Sequence, residues 1–413
     1  MTERPDMTSS TVSQAPNDAP AQTHGLSFWQ GVALIYGTNI GAGILSLPFA
    51  ARNGGFLALV VALLIAGTLT TISMLYVAEV SMRTKEPLQL SGLAEKYLGQ
   101  FGRWLVFAAI IVNGVGALIA YAAGSGMLIN NIFGIPPAIG TLVFYAVGSL
   151  VMWKGLHATG IAEATITVGM AAIVLILVGW TVLGPGMSLD NLAVFHPYFI
   201  IPIMNLAVFT FLAQYVVPEM ARGMEETPDL LPKAIIAGMA ATGFTLTLVP
   251  FAALGLLGTE VTEVVTVAWG DRLGPVAYYL ANIFALAAML TSFLAIGFTM
   301  MRNVMNIFHW GELGRTRLAA LLLTVIPPMS IVLAGLGGFV SALSYAGGFA
   351  GAIMSVVPVL LLRAARSYGD RTPGWAAGVV SHPVIQWTII SVYVAAFIYS
   401  IMSLTGVVPE GWA

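Results

Sequence analysis

Gly37-Thr-Asn-Ile-Gly-Ala-Gly-Ile-Leu-Ser-Leu-Pro-Phe-Ala50 lies inside an apolar run whose flanks mark it as a membrane-spanning helix. Glycines at 37, 41 and 43 weaken that helix, since each costs about 1 kcal/mol relative to alanine in a helix interior. Backbone N–H and C=O groups released in hydrocarbon must find partners, so an unwound segment survives only where it lines a polar cavity. Thr38, Asn39 and Pro48 favour such a break. A close helix-packing face is the other reading open to Gly-Ala-Gly, because small residues let two backbones approach.

The surroundings are those of an integral membrane protein. Of 413 residues, 58% are hydrophobic and 8% charged, with a mean hydropathy of +0.90; a soluble domain carries about 25% charged residues. Runs of about 20 apolar residues, enough to cross a ~30 Å hydrocarbon core, recur along the chain and imply helices rather than a barrel. The lipid bilayer is therefore the solvent. The absence of cysteine excludes disulfides, thiolate metal sites and cysteine nucleophiles. A net charge of -2 points to no class of partner, and neither a nucleic acid nor an obligatory protein partner is inferred. Residues 1–26, rich in Ser, Thr, Pro, Ala and Gln and without an apolar h-region, read as a disordered cytoplasmic tail rather than a signal peptide.

Apolar runs and their Gly, Pro and charge punctuation predict eleven spans, at residues 28–50, 54–82, 102–132, 138–153, 160–183, 199–221, 231–258, 272–303, 318–335, 337–363 and 382–404. Residues 259–271 are too polar to span and read as an external loop with a short helix. With the N-terminus in the cytoplasm and the C-terminus outside, 14 of the 16 Lys and Arg fall on the inner side and only Arg52 and Arg272 outside. The positive-inside rule favours that orientation in a cell (inner or plasma) membrane.

The first and sixth spans are both interrupted, and each opens a block of five. Five plus five helices of opposite topology make the inverted repeat of many secondary transporters, whose broken helices meet at the bilayer midplane. Repeat one would cover 27–183 and repeat two 199–363, with 382–404 an extra helix, all within a transporter domain over 27–404.

In the sixth span, Thr210, Gln214 and Glu219 interrupt an apolar run and Pro218 removes a backbone donor. Intramembrane polar groups are costly enough to suggest function. Gln214 could bond a polar ligand, with Phe209, Phe211 and Tyr215 as an apolar wall; a proline kink with a helix-packing Gln contact is the alternative. Glu219 lies near the inner end, where a gating or structural ion pair with Arg222 is expected. The Thr291-Ser292 pair offers two hydroxyls to a hard cation such as Na⁺, or alternatively bonds back to its own helix. Tyr121 shares a helix face with Asn113 and Ser125 and could offer its phenol to a carboxylate, or pack between helices. Ser341, Ser344, Tyr345, Gly347 and Gly348 read equally as a polar gate or as small-residue packing. Glu79, at the inner end of the second span, is a candidate gating or proton-carrying group, or else half of a structural ion pair.

The five histidines occupy the tail, loops or helix ends with no pair at metal-ligand spacing. Gly41-Ala-Gly43 lacks the third glycine and preceding strand of a dinucleotide fingerprint. No enzyme and no cofactor is expected.

Gly-Thr-Asn-Ile-Gly-Ala-Gly-Ile-Leu-Ser-Leu-Pro resembles the first-helix signature of the amino acid/auxin permease group of the amino acid-polyamine-cation superfamily. That group includes bacterial hydroxy/aromatic amino-acid permeases and sodium-coupled neutral amino-acid transporters. Phe209-x-Phe-x-x-Gln-x-x-Val-Pro-Glu219 and Pro232-Lys-Ala-Ile-Ile-Ala-Gly238 agree with it. The resemblance implies the five-plus-five fold of the leucine-transporter type, with an amino acid held between broken helices one and six. It also implies roles: amides from Asn39 through Gly41 and Ala42 to Gly43 for the carboxylate, carbonyls of Phe209 and Thr210 for the ammonium, and Phe209 and Gln214 beside the side chain. The carbonyls of Gly37 and Ile40 with the hydroxyls of Thr291 and Ser292 would hold sodium. Gly37 stands where the sodium-coupled group carries Asn, and the chain lacks an intramembrane lysine for proton coupling, so Na⁺ and H⁺ both stay open. The expectation is a symporter importing neutral, aromatic or large aliphatic amino acids; an uncoupled facilitator, an exchanger or a channel is the alternative.

Overall fold

The computed structural model describes residues 25–154, 160–308, 310 and 314–412; most of the expected N-terminal tail lies outside them. Ser27 opens the first helix with a capping box: the Gln30 N–H donates to its hydroxyl at 3.3 Å while its own N–H donates to Gln30 Oε1 at 2.9 Å. That helix, α1 (Phe28–Asn39), stops where the glycines begin. A 3-10 turn (Ala42–Leu45) follows, and then α2 (Leu47–Ala50). The first half continues as α3 (Phe56–Arg83), α4 (Leu90–Phe133, kinked at Gly99), α5 (Pro137–Lys154) and α6 (Gly160–Leu183).

After the short α7 (Leu189–Ala193) the break recurs. Helix α8 (Ile200–Phe209) gives way to a 3-10 turn (Gln214–Val216) and α9 (Val217–Gly223). Pro48 was expected to favour the first break, and Pro218 to remove a backbone donor from the sixth span, a proline kink being the alternative. Both sit in the first turn of the second segment, α2 and α9. A first-turn N–H has no helical acceptor, so proline loses nothing there and its fixed φ helps restart the helix.

The chain completes with α10 (Leu230–Leu257), α11 (Thr266–Leu273), α12 (Pro275–Ile307), α13 (Arg315–Leu333), α14 (Phe339–Tyr368) and α15 (Pro383–Leu404). The polar stretch expected to be a loop with a short helix ends in α11. No strand occurs among the described residues. Eight helical stretches are long and apolar enough to cross a membrane, and two shorter apolar helices cover Pro137–Trp153 and Ala171–Leu183. The most apolar windows of Pro197–Gly223 and α14 are 67% and 72% buried, whereas the other six lie between 28% and 44%. The broken sixth segment and α14 therefore form the centre, with α14 packed on α3, α4, α8 and α15.

Both ends of this centre are tied. At the arginine-rich end, the Leu26 N–H donates to Gly223 O at 2.5 Å, joining the start of α1 to the end of α9. Glu79, the one charged side chain buried among the described residues, takes Arg366 in two hydrogen bonds of 2.8 and 2.9 Å, Arg83 at 2.8 Å and the Ala377 N–H at 2.7 Å. At the opposite end the Val265 N–H donates to Leu45 O at 3.0 Å, and Glu263 accepts the first N–H of α14, from Phe339, at 3.1 Å. Arg52 lies over the Phe49 ring, 3.8 Å from its centroid.

Candidate functional site

The two breaks face each other. At the first, the Gly41 N–H turns to Asn39 O at 3.1 Å instead of to Gly37 O, and the Ile44 N–H goes to Gly41 O at 3.4 Å instead of to Ile40 O. The Gly37 and Ile40 carbonyls thereby lose their helical donors. Among the described residues the Ala42 and Gly43 N–H groups find no backbone acceptor. The result is a patch of free donors beside a patch of free acceptors, a chemistry suited to a zwitterion and a cation.

At the second break, the Phe211 N–H donates to Val208 O at 3.0 Å and the Ala213 N–H to Phe211 O at 3.0 Å. The Leu212 N–H takes Phe209 O at 3.3 Å, while among the described residues no backbone N–H donates to the Thr210 carbonyl. Of the two carbonyls expected to face an ammonium, Thr210's is the freer.

Gly43 is the point of closest approach. A Cβ there would lie 2.8 Å from the Thr210 methyl and 3.3 Å from the Phe209 ring, so no other residue fits without movement. A Cβ on Gly41 would lie 3.2 Å from Ser292 Oγ. The Ser292 and Tyr121 hydroxyls lie beside each other, and Tyr215 lies close enough to Tyr121 to interact electrostatically. Gly41, Gly43, Tyr121, Phe209, Thr210, Tyr215 and Ser292 are thus brought together from α4, α12 and the two breaks.

Other expected site residues point elsewhere. Thr38 donates to Leu34 O at 2.7 Å and Thr291 to Ala288 O at 3.0 Å, both within their own helices. Asn39 turns its amide towards Met239 of α10, 3.3 Å away, leaving Oδ1 buried without a hydrogen bond. Ala42 is buried. Phe211 packs its ring on Gly67 of α3 and near Gly243 of α10. Gln214 donates to Ser355 Oγ of α14 at 3.3 Å, and its Oε1 also stays buried and unbonded. Glu219 is exposed in the first turn of α9. The Glu79 cluster lies at the helix ends, away from the breaks. The Gly347-Gly348 pair is packing: a Cβ on Gly347 would strike the Asn205 carbonyl, and one on Gly348 the Ser400 hydroxyl.

Behind the first break lies a 20 Å³ cavity, walled by Tyr36, Ile40, Ile44, Val174, Val249 and Trp269. It is almost wholly apolar and about large enough for one water.

The decisive comparison is with a family: residues 24–400 match the tryptophan/tyrosine permease family. The chain belongs to that family. It is 26% identical over 352 residues to the tyrosine-specific transport system 1 of Haemophilus influenzae, covering 81% of this chain and 87% of that protein. It is 25% identical over 398 residues to the tryptophan-specific transport protein of Pseudomonas aeruginosa, covering 87% and 89%. Among solved structures it is similar to inward-facing Mhp1, with a TM-score of 0.61 at 13% identity over 95% of this chain and 94% of that one. MhsT in complex with L-phenylalanine gives a TM-score of 0.61 at 17% identity over 93% and 99%. The permease is a multi-pass membrane transporter of amino acids, not an enzyme, and its fold is that of these transporters.

Sequence reasoning had Tyr215 only as apolar wall and missed Ser355 and Met239. A hydroxyl and a thioether on distant helices carry no local signal; only the fold brings them to the breaks.

Proposed function

We propose that this permease is a cation-coupled secondary transporter of neutral aromatic amino acids, importing them by alternating access across the cell membrane. One observation carries the reading: Gly43, whose N–H and that of Ala42 have no backbone acceptor among the described residues, packs against the Phe209–Thr210 break in a contact too close for any Cβ. The amides stabilise the substrate carboxylate, aided by the partial positive charge of the following helical turn. The Thr210 carbonyl takes the ammonium, and Phe209, Tyr121 and Tyr215 border the aromatic side chain. The absence of charged residues among them supports a neutral side chain.

The coupling cation is Na⁺ or H⁺. For Na⁺, the ligands are the freed carbonyls of Gly37 and Ile40 with the Ser292 hydroxyl; the Thr291 oxygen joins them only through its lone pairs, its proton being held by Ala288 O. The cation contributes by binding the substrate-accepting state more tightly than the other. Eleven spans with the N-terminus inside complete the reading. The exposed Trp29, Trp104, Trp153 and Trp387 support it by forming an aromatic belt at the arginine-rich end.

The test is uptake of radiolabelled amino acids into proteoliposomes, with Na⁺ and pH gradients imposed separately. Concentrative uptake of tryptophan or tyrosine under one gradient is expected. Equilibration without accumulation under either gradient refutes coupling and leaves a facilitator or exchanger. Thr291→Ala with Ser292→Ala should remove Na⁺ stimulation while protein yield holds; unchanged stimulation refutes this pair as the Na⁺ site, and accumulation driven by the pH gradient alone assigns the coupling to protons.

A further inference from the structure

Helix α15 follows the two five-helix blocks and has no counterpart in the repeat. Its buried positions include Ile389, Tyr393, Ala396 and Ser400, spaced four, three and four apart on one face. The two polar members reach different halves of the broken sixth segment. Ser400 Oγ accepts from Asn205 Nδ2 of α8 at 2.7 Å. Tyr393 bonds the Thr70 hydroxyl of α3 at 2.5 Å and lies beside the Ser355 hydroxyl of α14, which accepts from Gln214 Nε2 at the break. Ser73 of α3 donates to the Ser355 carbonyl at 3.1 Å.

Two further facts make these links consequential. Asn205 Oδ1 and Gln214 Oε1 are buried and unbonded, so each amide is held by its N–H side alone. Gly348 places the backbone of α14 where a Cβ would displace both Ser400 Oγ and Asn205 Nδ2, so the Asn205–Ser400 contact is built into a close helix approach. Tyr393 and Ser400 lie two turns apart, about 10.5 Å along the axis, which spans the interruption.

We propose that α15 is a splint for the broken sixth segment, with Tyr393 and Ser400 as positioning residues that hold α8 and the Gln214 turn in register. The unwound backbone at Phe209–Thr210 has no ladder of its own to fix its shape. The splint supplies that fixity from behind, on the side away from Gly43, and so sets the geometry in which the Thr210 carbonyl meets an ammonium. Substrate affinity then depends on hydroxyls that never touch substrate. This last step rests on the substrate site proposed above; the splint itself does not.

The chain has no cysteine, so spin labels can be placed on Ile201→Cys and Arg222→Cys, exposed positions on either side of the break, in the full-length protein. Pulsed dipolar distances between them are compared with and without Tyr393→Phe or Ser400→Ala, alongside equilibrium binding of L-tryptophan and L-tyrosine and thermal melting. The expected result is a wider distance distribution and an affinity about threefold to tenfold weaker, the loss of one hydrogen bond's worth, at a melting temperature within a few degrees of the parent. An unchanged distance distribution in both variants overturns the splint, whatever happens to affinity or melting. A widened distribution with unchanged affinity for every aromatic amino acid upholds the splint and refutes the substrate site. Where Tyr393→Phe does not fold, Ser400→Ala removes one oxygen at the other end of the splint and gives the same reading.

Discussion

Gly43→Ala puts a methyl carbon 2.8 Å from Thr210 Cγ2 and 3.3 Å from the Phe209 ring, where unstrained carbon pairs stand about 3.5–4.0 Å apart. Thr210 cannot swing its methyl away without giving up the 2.7 Å bond from its hydroxyl to Ala207 O, worth about 0.5–1.5 kcal/mol. The alternative is to push the two breaks apart, and overpacking of this kind costs about 1–3 kcal/mol. That strain falls on the packing of one break against the other, which the proposed substrate site requires. At 1.4 kcal/mol per tenfold, the affinity for L-tryptophan or L-tyrosine should fall by about fivefold to 150-fold. Equilibrium binding to purified protein measures it, with thermal melting alongside. Gly179→Ala is the control, because a Cβ there meets nothing within 4 Å; replacing a helix-interior glycine should stabilise by about 0.4–1 kcal/mol and leave affinity alone. Wild-type affinity and melting in Gly43→Ala would refute the contact between the breaks as the centre of the site.

Two more outcomes follow from the arginine-rich end. Glu79→Gln leaves the Arg366 and Arg83 guanidiniums beside a neutral amide in a buried position, and breaking a buried pair from one side costs about 3–5 kcal/mol; the melting temperature should drop sharply, and an unchanged one would show the cluster to be idle. Asp370 lies 2.6 Å from the Lys96 ammonium, and that hydrogen bond, with a second from the Lys85 N–H, holds its carboxyl below the usual 3.8. A depressed carboxylate stabilises the folded state fully above its unfolded pKa and loses that contribution as pH falls through the folded value. Hydrogen exchange in the α3–α4 and α14–α15 connections should therefore be flat from pH 7 down to about 5 once corrected for intrinsic rates, and Asp370→Asn should resemble the acidified parent; a protection loss centred near pH 6 would contradict it.

The breaks were legible because their chemistry is local. Three glycines in seven residues and a Thr-Phe-x-x-Gln stretch before Pro218 weaken a helix wherever they occur. The direction of a polar side chain is not local. Thr38 and Thr291 satisfy themselves on the carbonyls of their own helices, whereas Ser292, next to Thr291 in sequence and about 100° round the helix, reaches Tyr121 and the Gly41 break. No spacing rule separates those neighbours. Gln214 illustrates the same limit, since its partner Ser355 is 141 residues away. The prolines mark the same breaks, though not their exact place: in a helix interior proline kinks, but once the preceding turn has unwound the same residue stands at a helix start.

The two breaks also differ in what stands behind them. Gln214 and Asn205 are braced by hydroxyls on α14 and α15, while the first break is backed by the small apolar cavity beside Ile40 and Ile44 and by the Asn39 contact to a Met239 sulfur. A thioether is a weak acceptor, and a void offers its lining no dispersion partners on one side, so the first break resists displacement less than the sixth. In a transporter that must change which end is open, motion concentrates where the packing gives. Helix α1 is held at its start by the Leu26–Gly223 hydrogen bond and by Gly31 against Met220 and Met224, and along its length by α10. At the proposed substrate site the sixth segment is then the more firmly braced wall and the first break the less braced one.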